Sequence, residues 1–413
     1  MGDPFPDAGA GDGRPRTGAG GLPGRPRGRV MARAKVPQQG PPADEVKVRR
    51  RPRWARPLIV LGVLLILVSA AGIAGSQALL HRYTDAIGQQ RLLGDAAATH
   101  VSIDGPINLL LVGIDERSSS PDADHNADSI LIVHIPANHN AAYLVSIPRD
   151  SYVPIPAYSK SGFGGGSDKI NAAFADGYGD GVGRAGGFEL LALTIKQLTG
   201  ISFNGGAIVD FSGFKSLVAA LGGVDMCVDE RTVSVHVGHD ARGQYRMPYE
   251  LTEDGPVPVP GVTPQVYQPG CQHLSDWQAL DYVRQRELIP DGDYGRQRHQ
   301  QQFLKAVLKQ ATSSGVLTNP VSLDRVLRAA GQAMTFDSGG ISIPDWIFAL
   351  RNIRSGSVTM LKTNGGTFNS EVIDGKDTEI LSDTSLELFS DLRDDNLAAF
   401  VAAHPGWVSP DAA

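Results

Sequence analysis

Asp115, Asp128 and Arg149 stand at the ends of three short apolar runs, in "GID", "ADSI" and "SIPRD". Two carboxylates and a guanidinium brought together could hold a divalent cation with an anion beside it. One or two carboxylates, completed by water and substrate phosphate, suit Mg²⁺. Aspartates are also common turn formers at strand ends, so residue types alone leave both readings open. A second group lies in "YVRQRELIPDGDYGRQRHQQQFL" (282–304), which gathers Arg284, Arg286, Arg296 and Arg298. If 283–287 is extended, Arg284 and Arg286 share one face. Arg296 and Gln300 are four apart on a helix face that continues into Leu304 and Leu308, so Arg296 is expected on the buried side. Arg298, about 200° away around the helix, is expected in solvent. A guanidinium on a core-facing stripe needs an anion, because burying it unpaired is costly. Glu287, Asp291 and Asp293 could supply that anion internally. The sharper reading is a phosphate or diphosphate clamp, with bidentate arginines beside a helix N-terminus.

Elements must bring these residues together. "NLLLVGI" (108–114), "SILIVHI" (129–135) and "AAYLVSI" (141–147) read as strands covered on both faces. As an antiparallel meander they place Asp115, Asp128 and Arg149 at one edge. Helical spacing over 187–200 closes at Gly200, and "FSGFKSLVAALGG" before "VDMCV" reads as helix, glycine stop and strand. Ser275 with Gln278 three residues on resembles a capping box, and a long helix is expected from about 293 to 311. Further helix signals fall near 320–334, 343–352 and after 383, while the Pro- and Gly-rich stretch 230–270 reads as a surface insertion or hairpin region. "GFGGGSD" (162–168) lacks the Lys-Ser/Thr of a P-loop, so a flexible loop is expected, and "GYGDGVG" (177–183) does not fit the dinucleotide fingerprint. His236 and His239 lack a zinc constellation, and Ser129 and Ser146 lack His-Asp partners.

The 413 residues carry a net charge of -6, but residues 1–56 alone carry +8, leaving -14 on the rest. Bulk charge therefore argues against nucleic acid as a partner. Residues 57–80 contain no charged side chain and are long enough to span a bilayer. "KVRRRPRWAR" precedes them, so the positive-inside rule keeps the N-terminus cytoplasmic and exports the chain beyond residue 80. A cleaved signal peptide is the competing reading, but the basic region is far longer than a usual n-region. The expected division is a disordered basic tail (1–56), a transmembrane signal-anchor (57–80) and a helical stalk (81–104). A catalytic domain (105–355) and a C-terminal extension (356–413), packing on or following it, come after. The two cysteines, Cys227 and Cys271, lie in the exported part. An even count in an oxidising compartment favours a disulfide over two buried thiols.

Seven motifs occur in order: "NLLLVGIDER", "ADSILIVHI", "YLVSIPRDSYVPI", "KINAAFADG", "FSGFKSLVAALGGVDMCV", "LSDWQALDYVRQR" and "GDYGRQRHQQQFL". Together they resemble the LytR-CpsA-Psr family of cell-wall glycopolymer ligases, well over residues 105–315 and loosely beyond. The resemblance implies an α/β fold, a central mixed β-sheet flanked by helices with a long apolar pocket for a lipid tail. It implies transfer of a glycopolymer from a polyprenyl diphosphate carrier to peptidoglycan at the membrane. It matches Asp115 and Asp128 to metal-associated aspartates holding Mg²⁺ (or Mn²⁺). It matches Arg149, Lys169, Arg284, Arg286, Asp293, Arg296 and Gln300 to the surroundings of the diphosphate, with Asp115, Asp128, Arg149, Arg286 and Arg296 taking part in catalysis. Two positions depart from the family pattern. Asn126 and His299 stand where many members have arginine, so the clamp is expected to carry fewer positive charges than theirs. A polyprenyl diphosphate phosphatase and a non-enzymatic isoprenoid-phosphate sensor are the rival functions.

Overall fold

The computed structural model describes residues 89–99, 102–115, 125–252, 255–313 and 320–410. The expected tail and signal-anchor lie outside them. Among the described residues no helix is long and apolar enough to cross a membrane.

The three apolar runs form β1 (Ile107–Ile114), β2 (Ala127–Ile135) and β3 (Ala142–Ile147), paired as an antiparallel meander. Successive residues face opposite sides. Ile130 and Ile132 enter one core cluster, whereas Leu131 and Val133 belong to another. Burial on both faces is why these strands read as nearly continuous apolar runs. β4 (Tyr152–Ile155) pairs with β5 (Gly166–Lys169), so the end of "GFGGGSD" is strand rather than loop. α1 (Ala172–Thr199) begins well before its apolar spacing indicates. Gly179, Gly181 and Gly183 adopt φ of 30°, 86° and 67° within it, a conformation that costs glycine little and that hides the helix from periodicity. It stops at Gly200 in the left-handed region. β6 (Gly205–Asp210) runs parallel to β1. A Cβ on Gly206 would lie 2.4 Å from the Phe188 ring, so the missing side chain is what lets α1 pack on the sheet.

α2 (Phe211–Leu221) and β7 (Val224–Val228) follow the expected helix–glycine–strand order. The 230–270 region is a hairpin region, with β8 (Thr232–Asp240) against β9 (Val262–Tyr267). β10 (Gly270–Leu274) returns to β7, placing Cys271 opposite Cys227, and the two form a disulfide. α3 (Asp276–Arg284) starts with the Ser275 N–H donating to the Gln278 side chain at 3.0 Å. α4 (Gly292–Ser313), α5 (Pro320–Ala333), β11 (Met334–Asp337), α6 (Ile343–Leu350) and β12 (Val358–Lys362) follow, then a hairpin of Ser370–Ile373 against Lys376–Glu379, α7 (Asp383–Arg393) and α8 (Leu397–Ala403). The main sheet has the order β11-β6-β1-β2-β3-β12 and is mixed, with β6 parallel to β1 and β12 parallel to β3.

Two segments sit differently from expectation. The described part of the 81–104 stretch is no helical stalk. Leu92 and Leu93 are each 1% exposed in the core, and their N–H groups donate to Asp337 Oδ2 at 2.6 and 2.9 Å. Two adjacent leucines gain more from burial than from a solvated helix. Residues 356–413 supply the edge strand β12, and Leu388, Phe389 and Phe400 join the main core. The sheet therefore continues past the division expected at 355.

Candidate active site

The meander delivers its polar ends to one edge. Gly113 pairs with Ser129 and Ile114 with Ala127, which leaves Asp128 as the extra residue of a β-bulge. Bulges re-aim side chains in this way beside functional sites. Asp128 Oδ1 accepts from Arg149 Nη1 at 2.6 Å. Arg149 Nε lies 3.6 Å from Asp150 Oδ2, and Asp150 Oδ1 lies 3.0 Å from Lys169 Nζ. Burial works against the Arg149 charge, but Asp150, Asp128 and Asp293 outweigh it and raise its pKa. Asp115, one residue beyond β1, has Oδ2 3.7 Å from Arg284 Nη2. The Arg284 guanidinium lies over the Phe211 ring, 4.2 Å from its centroid.

α4 closes the site from below. Arg296 is 7% exposed, as its helical phase predicts. Its Nη2 donates to the Asp128 carbonyl at 2.8 Å and lies 2.6 Å from Asp293 Oδ1, while its buried Nε has no hydrogen-bond partner. Burial pulls the Arg296 guanidinium below its ordinary pKa. Asp293 and Asp128 oppose the shift, and the charges of Arg149 and Arg286 add to it. Gln300 Oε1 accepts from Ser129 Oγ at 2.7 Å, tying the helix to the start of β2. Asp128, Arg149, Lys169, Asp293, Arg296 and Gln300 thus meet around one edge, with Asp115 and Arg284 beside them.

Arg284 and Arg286 do not share an extended face. Arg284 ends α3, and Arg286 lies beyond the C-cap Gln285. Arg286 Nε donates to Glu287 Oε1 at 2.7 Å, and its side chain is 37% exposed. The helix keeps Val283 and Arg284, the first two residues of the stretch expected to be extended, and its C-cap falls between the two arginines.

Arg298 is not a solvated surface residue. It is 8% exposed, with Nε 2.6 Å from Asp229 Oδ2 and Nη1 2.6 Å from Asp291 Oδ2, and it also bonds Glu230. α4 has a second covered side, formed by β7 and α3. A residue out of phase with one core therefore faces another. His299 is fully buried on that side, stacked on Tyr282 with ring centroids 4.2 Å apart and Nε2 3.6 Å from Asp229 Oδ1. His299 therefore lies with the Arg298 cluster and adds nothing to the Arg296 side. Burial would raise the Asp229 pKa, but His299 and Arg298 hold it well below the carboxylate range.

Asp150 was missed by sequence reasoning although it directly follows Arg149 in "PRD". Asp229 and Glu230 gave no signal, because their partner Arg298 is distant in sequence. Among the described residues Asp229, Glu230 and His299 bring three ligand atoms within 4.8 Å, but Arg298 already sits among these carboxylates. Asp115 and Asp128 offer oxygen donors of the kind a hard divalent ion takes.

The LytR_cpsA_psr family model matches residues 77–392. A polyisoprenyl-teichoic acid–peptidoglycan teichoic acid transferase TagU of Bacillus cereus is 32% identical over 218 residues, 53% of this chain and 57% of that protein. The cell wall biosynthesis protein LcpA of Corynebacterium glutamicum is 29% identical over 290 residues, 62% of this chain and 49% of that protein. The chain thus spans about half the length of these curated relatives. Among solved structures, protein gbs0355 of Streptococcus agalactiae superposes with a TM-score of 0.55 at 24% identity, covering 72% of this chain and 91% of that one. TagV of Bacillus subtilis superposes with a TM-score of 0.51 at 22% identity, covering 71% and 98%. These likenesses show the fold, and the family match over more than half of the sequence shows that the chain belongs to the LytR_cpsA_psr family.

Proposed function

We propose that this protein transfers a glycopolymer from a polyprenyl diphosphate carrier to a hydroxyl of peptidoglycan. One observation carries the reading. Arg296 is buried beside two other guanidinium groups with its Nε unpaired, an arrangement that an anion of more than one charge would complete. The names of relatives such as TagU, a teichoic acid transferase, support the same chemistry.

In the proposed step the acceptor oxygen bonds to the sugar-proximal phosphorus. The bond from that phosphorus to the bridging oxygen breaks, and polyprenyl monophosphate leaves with the electron pair. The acceptor proton passes to a carboxylate, for which Asp115, Asp128 and Asp293 are the candidates. Arg149, Arg296 and Lys169 orient the diphosphate and offset charge that grows on the leaving phosphate. Asp115 and Asp128 are the residues whose carboxylate oxygens would hold Mg²⁺ (or Mn²⁺), and the ion would supply further charge neutralisation at the diphosphate. The apolar stretch 57–80 and the Cys227–Cys271 bond support a membrane-anchored domain working in an oxidising exterior.

The test supplies the full-length chain in detergent with a lipid-diphosphate-linked glycan, Mg²⁺ and peptidoglycan. Glycan covalently bound to peptidoglycan is the expected product. Free sugar phosphate alone would make it a phosphatase, and no product would leave a sensor.

A further inference from the structure

A groove of about 180 Å³ adjoins the arginine cluster and shares two walls with it, Asp150 and Asp293. Its other side is built by the C-terminal hairpin 370–379, through Ser370 and Asp377, and by Phe368. This hairpin is fixed to the site. The Glu379 N–H donates to the Asp150 carbonyl at 2.9 Å. Buried Glu379 accepts at Oε1 from Tyr294 Oη at 2.7 Å and Asn364 Nδ2 at 2.8 Å. Phe368 stands out against this rigid wall. Its ring meets Tyr294 edge to face, with centroids 5.1 Å apart, yet the residue is 52% exposed. The groove thus offers one aromatic face, hydroxyl and carboxylate acceptors, and room for one sugar ring rather than a length of polymer.

We propose that this groove binds the acceptor: one pyranose ring of a peptidoglycan glycan strand, stacked on Phe368 and hydrogen-bonded to Asp377 and Asp150, with a hydroxyl turned to Asp293. The inference rests on the transfer reading and names where its second substrate sits. Charge separates the two substrates. The anionic donor goes to Arg149 and Arg296, while Asp150, Asp293, Asp377 and Glu379 line the groove and repel it. An uncharged ring meets no such penalty. Asp293 belongs to both places, 2.6 Å from Arg296 Nη2 and in the groove wall, so it stands where acceptor hydroxyl and donor phosphate would meet.

The test titrates the full-length chain in detergent with a soluble peptidoglycan tetrasaccharide bearing its stem peptides, and separately with farnesyl diphosphate. Phe368→Ala is expected to weaken tetrasaccharide binding roughly tenfold, because about half a phenylalanine side chain remains to be covered. Phe368→Trp should restore it and Asp377→Asn should weaken it severalfold, while farnesyl diphosphate affinity should not change in either Phe368 variant. Phe368 is exposed, so folding is not at stake, and unchanged urea midpoints will check this. Tetrasaccharide binding that is absent from the wild type, or unaltered in Phe368→Ala, overturns the acceptor site. Loss of the transfer reading itself shows in the other ligand, as farnesyl diphosphate affinity unaltered by Arg296→Ala.

Discussion

Arg296 and Arg298 lie two residues apart on one helix and are both less than a tenth exposed, yet their replacement should have opposite consequences. Arg298 is matched by three carboxylates, Asp229, Glu230 and Asp291. Removing it as Arg298→Met leaves those charges facing one another in a half-buried site. Breaking a buried ion pair by removing one partner costs about 3–5 kcal/mol. Arg296 has one ion pair and one carbonyl, and the guanidinium groups of Arg149 and Arg286 press against its charge. In Arg296→Met the neighbour Asp293 still accepts from Gln297 Nε2 at 2.8 Å and lies in the field of Arg149. The stability change should therefore stay within about 1 kcal/mol, the burial cost of the arginine offsetting its contacts. Diphosphate binding should reverse the order. Losing a hydrogen bond between charged groups costs about 1.5–3 kcal/mol, or roughly 10- to 100-fold in affinity. Urea unfolding, with m-values checked for constancy, and farnesyl diphosphate titration measure the two quantities. If Arg296→Met destabilises the protein as much as Arg298→Met and leaves the affinity unchanged, Arg296 is a structural ion-pair partner and the clamp is misassigned.

Three further outcomes depend on separate parts of the fold. The Cys227–Cys271 bond closes a loop with a sequence separation of 44, so Cys227→Ser with Cys271→Ser should lower stability by up to about 4 kcal/mol from chain entropy, read as a shifted urea midpoint; a shift under about 0.5 kcal/mol would contradict it. Burial raises the Asp281 pKa from 3.8 to about 6, against the hydrogen bonds from Tyr267 and Ser234. The folded state then holds the extra proton between those values. This group favours folding at low pH, and its contribution falls by about 3 kcal/mol as pH rises through 6. Asp281→Asn should flatten that slope in urea midpoints taken from pH 4 to 7.5, and an unchanged slope would count against it. Asp115→Asn and Asp128→Asn should each lower the transfer rate at least ~10²-fold, measured as glycan bound to peptidoglycan, and retention of full activity would exclude both from the reacting site.

The sheet edge was legible because its signals are local. Three β-rich runs end in Asp115, Asp128 and Arg149, and a meander of adjacent strands leaves few ways to arrange them. Arg296 was legible because helical phase ties it to Leu304 and Leu308, both packed against a core. Arg298 was not, since phase reports only which residues oppose one face. The carboxylates that bury it come from the end of β7, almost seventy residues earlier, and from the loop before α4. Arg284 and Arg286 failed for a different reason: alternation was expected over a segment whose first two residues still belong to a helix, so that the helix end falls between the two arginines. The β-bulge at Asp128 could not be read at all, because register belongs to a pair of strands and not to either sequence alone.

An acidic domain can build a cation cluster only by restraining it. With no diphosphate to separate them, Arg149, Lys169 and Arg296 would repel one another at the sheet edge, and Asp128, Asp150 and Asp293 stand between them. The same carboxylates must then compete with an incoming diphosphate, so part of its binding free energy goes into displacing them. Asp150 shows this most directly. It contacts both Lys169, at 3.0 Å, and Arg149, at 3.6 Å, and its side chain is 32% exposed. Two partly exposed ion pairs contribute about 0.2–1 kcal/mol each, so little stability is lost when Asp150 is neutralised. Asp150→Asn should therefore bind farnesyl diphosphate about 2- to 10-fold more tightly, by titration at fixed ionic strength, with the gain shrinking as salt is raised. Weaker binding in Asp150→Asn would mean that the carboxylate positions the cations for the anion instead of competing with it.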